Sequence, residues 1–104
     1  MQDIRIDIGV CTILNINLAD IDFTGIREIV FTVKNAPAVD APIIIERVFT
    51  QAGVHDIKIT PEESVKLTQS AEYDFSKILT DGTQLKMTDN GKVILRKSVG
   101  GCLD

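Results

Sequence analysis

The sequence predicts an all-β fold: an antiparallel β-sandwich of about seven to eight strands with one short helix in a crossover connection. Apolar and polar residues alternate along several short segments, as they do in half-buried strands. Turn residues separate these segments at near-regular spacing, which is typical of sandwiches and barrels. A helix-capping pattern combined with a proline occurs at residues 60–63. With 104 residues, of which 44% are hydrophobic, the chain 1–104 is expected to form a single domain with a modest core.

The first third of the chain contains three predicted strands. They cover residues 4–10, 13–18 and 28–34, where isoleucine, leucine, valine or phenylalanine recurs at alternate positions. Gly9 is expected to mark a bend or bulge in the first strand. A polar loop that contains Phe23 separates the second strand from the third.

A fourth strand is predicted over residues 43–49, after a proline-containing loop at 35–42. Three consecutive isoleucines, Ile43, Ile44 and Ile45, make this strand apolar on both faces. Such a strand lies in the centre of a sheet, or its outer face is covered by a partner. The sequence leaves both interpretations open.

The stretch 53–75 combines a strand, a helix and the start of another strand. The strand is predicted over residues 54–59. Thr60 is expected to accept the N–H of Glu63, and Glu63 to reach back to Thr60, as in a capping box. The intervening proline at the first helical position loses no needed donor. The helix is therefore predicted over about 61–68.

The C-terminal part of the chain is predicted to form three further strands. They cover residues 73–79, 84–87 and 92–99, with turn signals at Asp81-Gly82 and Asn90-Gly91. Asn90 and Gly91 both tolerate positive φ, so they predict a tight hairpin between the last two strands. Gly100 and Gly101 are expected to begin a flexible tail.

The charge and the N-terminal pattern restrict the class of function and the compartment. The net charge of −4 and the pI near 4.9 argue against non-specific nucleic-acid binding, which needs clustered cations. Asp3, Arg5 and Asp7 interrupt the apolar residues of the N-terminus, and no segment reaches membrane-spanning length. We therefore expect no membrane partner and a location in the cytoplasm.

The two cysteines, Cys11 and Cys102, lie near opposite ends of the chain. In a reducing compartment we expect two free thiols. A disulfide between neighbouring strands is the alternative.

No residue predicts catalysis, a metal or a cofactor. His55 is the only histidine, and neighbouring side chains of a strand, such as that of Asp56, point to opposite faces. The acidic pair Glu62 and Glu63 is explained by helix capping and by the helix dipole. Asp20 and Asp22 are spaced like some calcium ligands, as are the turn residues 89–91, but Asp and Asn are also ordinary turn residues. We therefore predict that the protein is not an enzyme and has no bound metal or cofactor.

Protein contact remains as the main class of function. Glycan-binding sandwiches use exposed aromatic residues, and here only Phe23 and Phe49 fall at positions not clearly assigned to the core. A carbohydrate- or surface-ligand-binding module is therefore the alternative. The run Ile43, Ile44 and Ile45 is the candidate interface, because edge strands pair with other chains unless they are blocked.

The spacing of Leu67 and Tyr73, with Phe75 at the next alternate position, resembles the tyrosine corner of immunoglobulin-like and fibronectin-type domains. In those domains the tyrosine hydroxyl bonds back to the connection before it. This resemblance favours a sandwich in which Leu67 and Tyr73 have structural roles, in addition to the capping residues Thr60 and Glu63.

A wider resemblance covers roughly residues 20–99. Its signals, in chain order, are Phe23-Thr24-Gly25, the strand 29–34, Gly53, the segment Ile57 to Glu63, Leu67, Tyr73-Asp74-Phe75, Asp81-Gly82 and Asn90 to Val93. This order is similar to that of the small sandwich domain of tail and baseplate proteins of phages and prophages of Gram-positive bacteria. The baseplate upper proteins contain this domain at their N-terminus.

This resemblance implies a structural role without enzymatic activity. The expected partners are other phage structural proteins or further copies of the chain. The expected location is the host bacterial cytoplasm before assembly and the virion afterwards. The chain departs from the family pattern before residue 20, and it lacks the long C-terminal extension of the baseplate proteins.

Overall fold

The computed structural model describes residues 3–36, 40–87 and 91–97. These residues form eight strands and one short helix. In chain order they are β1 (Ile4–Ile8), β2 (Thr12–Asn17), β3 (Ile26–Lys34), β4 (Ile43–Phe49), β5 (Val54–Ile59), α1 (Pro61–Ser64), β6 (Glu72–Leu79), β7 (Gln84–Lys86) and β8 (Gly91–Lys97). The predicted all-β fold with one short helix is confirmed.

The strands form a large sheet and a small sheet. The large sheet has the order β1-β8-β6-β3-β4, and β7 also pairs with β6. The small sheet contains β2 and β5. The neighbours β8-β6-β3-β4 correspond to the G-F-C-C′ order of immunoglobulin-like sandwiches.

One pair of strands departs from the predicted antiparallel arrangement. β1 and β8 are parallel, with Ile4 opposite Val93 and Ile8 opposite Lys97. The other pairs, such as β3 with β6, are antiparallel. A parallel pair needs a long connection rather than a hairpin, and here the whole domain lies between its two strands.

The core lies between the two sheets. Phe31 on β3 has no exposed surface, and its ring centroid lies 5.2 Å from that of Phe75 and 5.8 Å from that of Tyr73. The small sheet contributes Ile57 and Ile59 to the same cluster. The remaining buried members are Ile6, Leu18, Ile29, Val33, Ile45, Phe49, Leu67, Ala71 and Val93. Along β2 and β5 the predicted alternation separates inward from outward residues, as a two-layer fold requires.

Two glycine-based predictions need correction. The first strand ends at Ile8 rather than at residue 10, because Gly9 adopts a φ of 81° and turns the chain toward β2. β7 and β8 pair with β6, not with each other. The hairpin predicted from Asn90-Gly91 is therefore wrong: Gly91 opens β8, and residue 90 lies outside the described residues. The tail predicted at Gly100-Gly101 also lies outside them.

The helix starts as predicted but is shorter. The Thr60 hydroxyl accepts the Glu63 N–H at 3.1 Å, and the Glu63 carboxylate accepts the Thr60 N–H at 3.1 Å, so the capping box is formed. The α-helix ends at Ser64 instead of residue 68. Asn35 holds the chain just beyond it, since its side-chain amide donates to the Lys66 carbonyl and accepts the Thr68 N–H. The bonds of Asn35, which lies on another loop, thus take the place of further helical hydrogen bonds.

Candidate functional site

The predicted interface lies on β4, which is an edge strand of the large sheet. The central-strand interpretation is therefore wrong for the described residues. The three isoleucines lie in different environments: Ile43 is 51% exposed, Ile44 packs half-buried against the core, and Ile45 is 1% exposed.

A shift in strand register explains this difference. Val33 lies opposite Ile45 and Lys34 lies opposite Ile43, so β4 has one extra residue at this point. In a bulge of this kind the extra residue breaks the alternation of the strand. Ile44 and Ile45 both reach the core, while Ile43 is turned outward. The outer face of β4 therefore presents Ile43, Glu46 and Val48.

The outer face of the large sheet is concave next to β4. A groove of about 290 Å³ is lined there by Glu28, Val30, Thr32, Lys34, Ile43, Glu46, Val48, Asp74, Ser76, Ile78 and Gln84. We call it the outer groove. Val48 is 48% exposed at its rim, whereas its cross-strand partner Val30 is only 8% exposed. The outer groove thus combines an apolar strip with a mainly acidic border.

Arg47 joins β4 to the small sheet and to the helix. Its guanidinium donates to the Glu63 carboxylate at 2.7 Å and to the backbone carbonyl of Lys58 on β5 at 3.1 Å. Both side chains of the ion pair are less than one-third exposed. Glu63 is at the same time the acidic member of the capping box. One arginine therefore ties the edge strand, β5 and the start of α1 together.

Opposing influences act on the pKa of Glu63. Burial, the largest single influence, raises it. The hydrogen bond and charge of Arg47, together with the hydrogen bonds from Thr60, outweigh burial and hold the pKa of Glu63 below its ordinary value. The ionised carboxylate is thus favoured in the folded protein.

Glu63→Gln is expected to lower the free energy of unfolding at neutral pH by about 1 kcal/mol, because a charge-assisted bond is lost. A lowered folded-state pKa stabilises the fold above the unfolded-state pKa, and this contribution disappears as the pH falls through the folded-state value. The difference between wild type and variant should therefore shrink below about pH 4. Urea denaturation at neutral and acidic pH measures it. Glu62→Gln, at the neighbouring exposed carboxylate, is the matched control, and a difference that persists in acid would contradict the assignment.

Ser64 anchors α1 to the turn between β1 and β2. Its side chain is completely buried. The hydroxyl accepts the Gly9 N–H at 2.9 Å and donates to the Pro61 carbonyl at 2.8 Å. The positive φ of Gly9 presents this N–H to the helix. The contact couples residues 55 positions apart in the chain.

Leu67 and Tyr73, the residues of the tyrosine-corner prediction, are both buried. Tyr73 lies at the start of β6, opposite Val33 on β3 and Gly91 on β8. Burial raises the pKa of its hydroxyl, and the negative charge of Asp3 raises it further. The bond from this hydroxyl to the preceding connection stays a prediction.

The aromatic residues proposed for glycan binding lie against the core. Phe49 is 7% exposed, and its ring centroid lies 4.9 Å from that of His55. Phe23 packs half-buried against the core. The His55 Nε2 lies 2.9 Å from the Gln51 carbonyl oxygen. All five aromatic residues of the chain are within the described ranges, and none of them is exposed.

Two of the acidic turn residues bind backbone amides. Asp22 accepts the Thr24 N–H, and Asp81 accepts the Thr83 N–H, both at 2.9 Å. These bonds lower the pKa of both carboxyls. Among residues 3–36, 40–87 and 91–97, no group of three or more His, Cys, Asp or Glu side chains is placed to hold a metal ion.

Cys11 is disulfide-bonded. The expectation of two free thiols is therefore wrong for this residue, and Cys102 lies outside the described residues. The physical reason is the parallel pairing of β1 with β8, which brings the turn after Ile8 close to the end of β8 at Lys97. The sequence alone did not indicate that pairing.

Sequence reasoning missed Arg47 and Val48. A signal for Arg47 was present, since it occupies an inward position between Ile45 and Phe49 in the alternation of β4. A charged residue at an inward position near a sheet edge indicates an ion pair or an edge-blocking contact. Nothing local identifies Glu63 and Lys58 as its partners.

The described residues contain no helix with the length and apolar character needed to span a bilayer. Comparisons with family models and with curated proteins find no match for this chain.

Proposed function

We propose that this chain is a non-enzymatic structural protein of a phage or prophage virion, which acts by assembling with other virion proteins or with further copies of itself. The observation that carries the assembly role is the edge strand β4, where Ile43 and Val48 are each about half exposed on one face. Exposed apolar residues on an edge strand favour association with another chain.

Two further observations support this proposal. The sandwich architecture is the one that the resemblance to phage tail and baseplate domains implies. The disulfide at Cys11 is typical of proteins that function in oxidising surroundings, which include the surfaces of virions. The competing glycan-binding hypothesis is not favoured by any contact in the structure, because Phe23 and Phe49 lie against the core.

Ile43→Asp is expected to weaken assembly, because it places a charge in the apolar strip of the outer groove. Native mass spectrometry of the purified protein, alone and co-expressed with the products of the genes flanking its own, measures the assembly state. The wild type should form an oligomer or a defined complex, and the variant should shift toward the monomer. Val54→Asp is the matched control, since Val54 is 58% exposed on the small sheet. A wild type that stays monomeric with and without those gene products would overturn the proposal.

A further inference from the structure

The small sheet leaves part of the core uncovered beside β2. It has two strands, whereas the large sheet has five in its main order. A cleft of about 410 Å³ lies between the two sheets at this side. Its described lining is mostly apolar and consists of Asp3, Ile4, Asn15, Ile16, Asn17, Leu18, Ile21, Phe31, Tyr73, Phe75 and Met87. Its volume lies within the range of ligand-binding cavities.

The backbone of β2 has an open edge at this cleft. The Leu18 N–H donates to the Gly53 carbonyl at 2.7 Å, which continues the register of β2 with β5. In an antiparallel pair, bonded and non-bonded positions alternate. The backbone groups of Ile13, Asn15 and Asn17 therefore point away from β5. No strand in the described ranges pairs with this edge.

The opposite edge of the small sheet is covered at one position by a side chain. The same alternation directs the Lys58 carbonyl away from β2, and Arg47 donates to that carbonyl at 3.1 Å. Glu63 holds the Arg47 guanidinium in place. This contact confirms the alternation and shows how side chains block one edge. The β2 edge has apolar surface beside it instead.

Among the described residues that line the cleft, Asp3 is the charged one, and it is exposed. Asp20 and Asp22, both exposed, flank the lining residue Ile21 in the loop that follows β2. A segment that enters the cleft therefore meets negative charge at the rim and apolar side chains inside. A cationic residue next to alternating apolar residues complements this arrangement.

We propose that the β2 edge and this cleft bind an extended segment of a partner protein. The segment adds to the small sheet as a third strand through the backbone groups of Ile13, Asn15 and Asn17. Its alternate apolar side chains enter the cleft, and its lysine or arginine lies against Asp3. This is strand addition, in which backbone bonds provide affinity and pockets for alternate side chains provide specificity. The inference rests on the proposed assembly role but uses a surface different from the outer groove.

The test uses a synthetic peptide, acetyl-Lys-Val-Thr-Val-Thr-Val-Thr-amide, titrated into the ¹⁵N-labelled full chain and followed by NMR. We expect shifts at the amides of Ile13, Asn15 and Asn17. Two further peptides test the backbone bonds. One is N-methylated at its odd-numbered residues and the other at its even-numbered residues, so each lacks the N–H groups of a different edge of the strand. One of these peptides should bind and the other should not. Equal binding of both, or shifts confined to β4, would overturn the proposal.

Charge recognition is tested with Asp3→Asn, which should weaken binding of the lysine peptide about two- to fivefold. Asp74→Asn, in the outer groove, is the matched control and should leave binding unchanged. Broadening of the β2 amides with protein concentration, without peptide, would indicate a second copy instead and would contradict a foreign segment. The titration repeated on Ile43→Asp separates the two proposals, because that variant alters the outer groove and leaves the β2 edge intact.

Discussion

Phe31→Ala is expected to lower the free energy of unfolding by about 3–5 kcal/mol. Phe31 has no exposed surface and packs against the rings of Tyr73 and Phe75. Its truncation removes the transfer free energy of the ring and leaves a cavity that β3, bonded on both sides by β4 and β6, is poorly placed to close. The total free energy of unfolding of a domain of this size is only slightly larger than such a loss.

Urea denaturation followed by circular dichroism measures this effect. Phe31→Leu, which retains most of the side-chain volume, should cost much less and keeps the test usable if the alanine variant does not fold. Val48→Ala is the matched control on the same sheet, because Val48 is 48% exposed on the opposite face and its truncation should change stability by less than about 1 kcal/mol. A Phe31→Ala variant as stable as Val48→Ala would show that Phe31 is not at the centre of the core.

Ser64→Ala should have the second-largest effect, a loss of about 1–3 kcal/mol. The substitution removes both bonds of a completely buried hydroxyl, the one from the Gly9 N–H and the one to the Pro61 carbonyl. It also removes the contact that holds α1 against the turn after β1. The same denaturation experiment measures the loss, and amide hydrogen exchange at Gly9 should become faster.

Ser70→Ala provides the comparison for Ser64→Ala. Ser70 is exposed in the connection after α1, so shortening its side chain changes no buried hydroxyl. Unchanged exchange at Gly9 in Ser64→Ala would contradict the anchoring role, even if the melting temperature fell.

The parts of the fold that depend on neighbouring residues could be predicted from the sequence. The bounds of β4 and β5 agree with the predicted 43–49 and 54–59, because alternation and turn residues determine them locally. The capping box at Thr60 and Glu63 was also predictable, since its two members are three residues apart. The end of the helix was not, because Asn35 on a distant loop supplies the bonds that hold the chain there.

The candidate site could also be predicted only in part, because it depends on contacts between residues that are distant in the chain. The isoleucine run identified β4, but the bulge opposite Val33 determines which isoleucine is exposed. The open edge of β2 follows from the number of strands in the small sheet, which no local pattern in the chain encodes. The role of Arg47 depends on Lys58 and Glu63, which are adjacent to it only in the folded protein.

The parallel pairing of β1 with β8 has a consequence for synthesis of the protein. Ile4 pairs with Val93, so the first strand has no sheet partner until β8 has left the ribosome. Contacts between residues this far apart in the chain form late, because the entropy of closing the intervening loop must be overcome first. Until then the apolar face of β1, including Ile6, stays exposed to other nascent chains. Folding of the domain is therefore completed only once β8 is available, and β1 is the segment that most needs protection from aggregation in that interval.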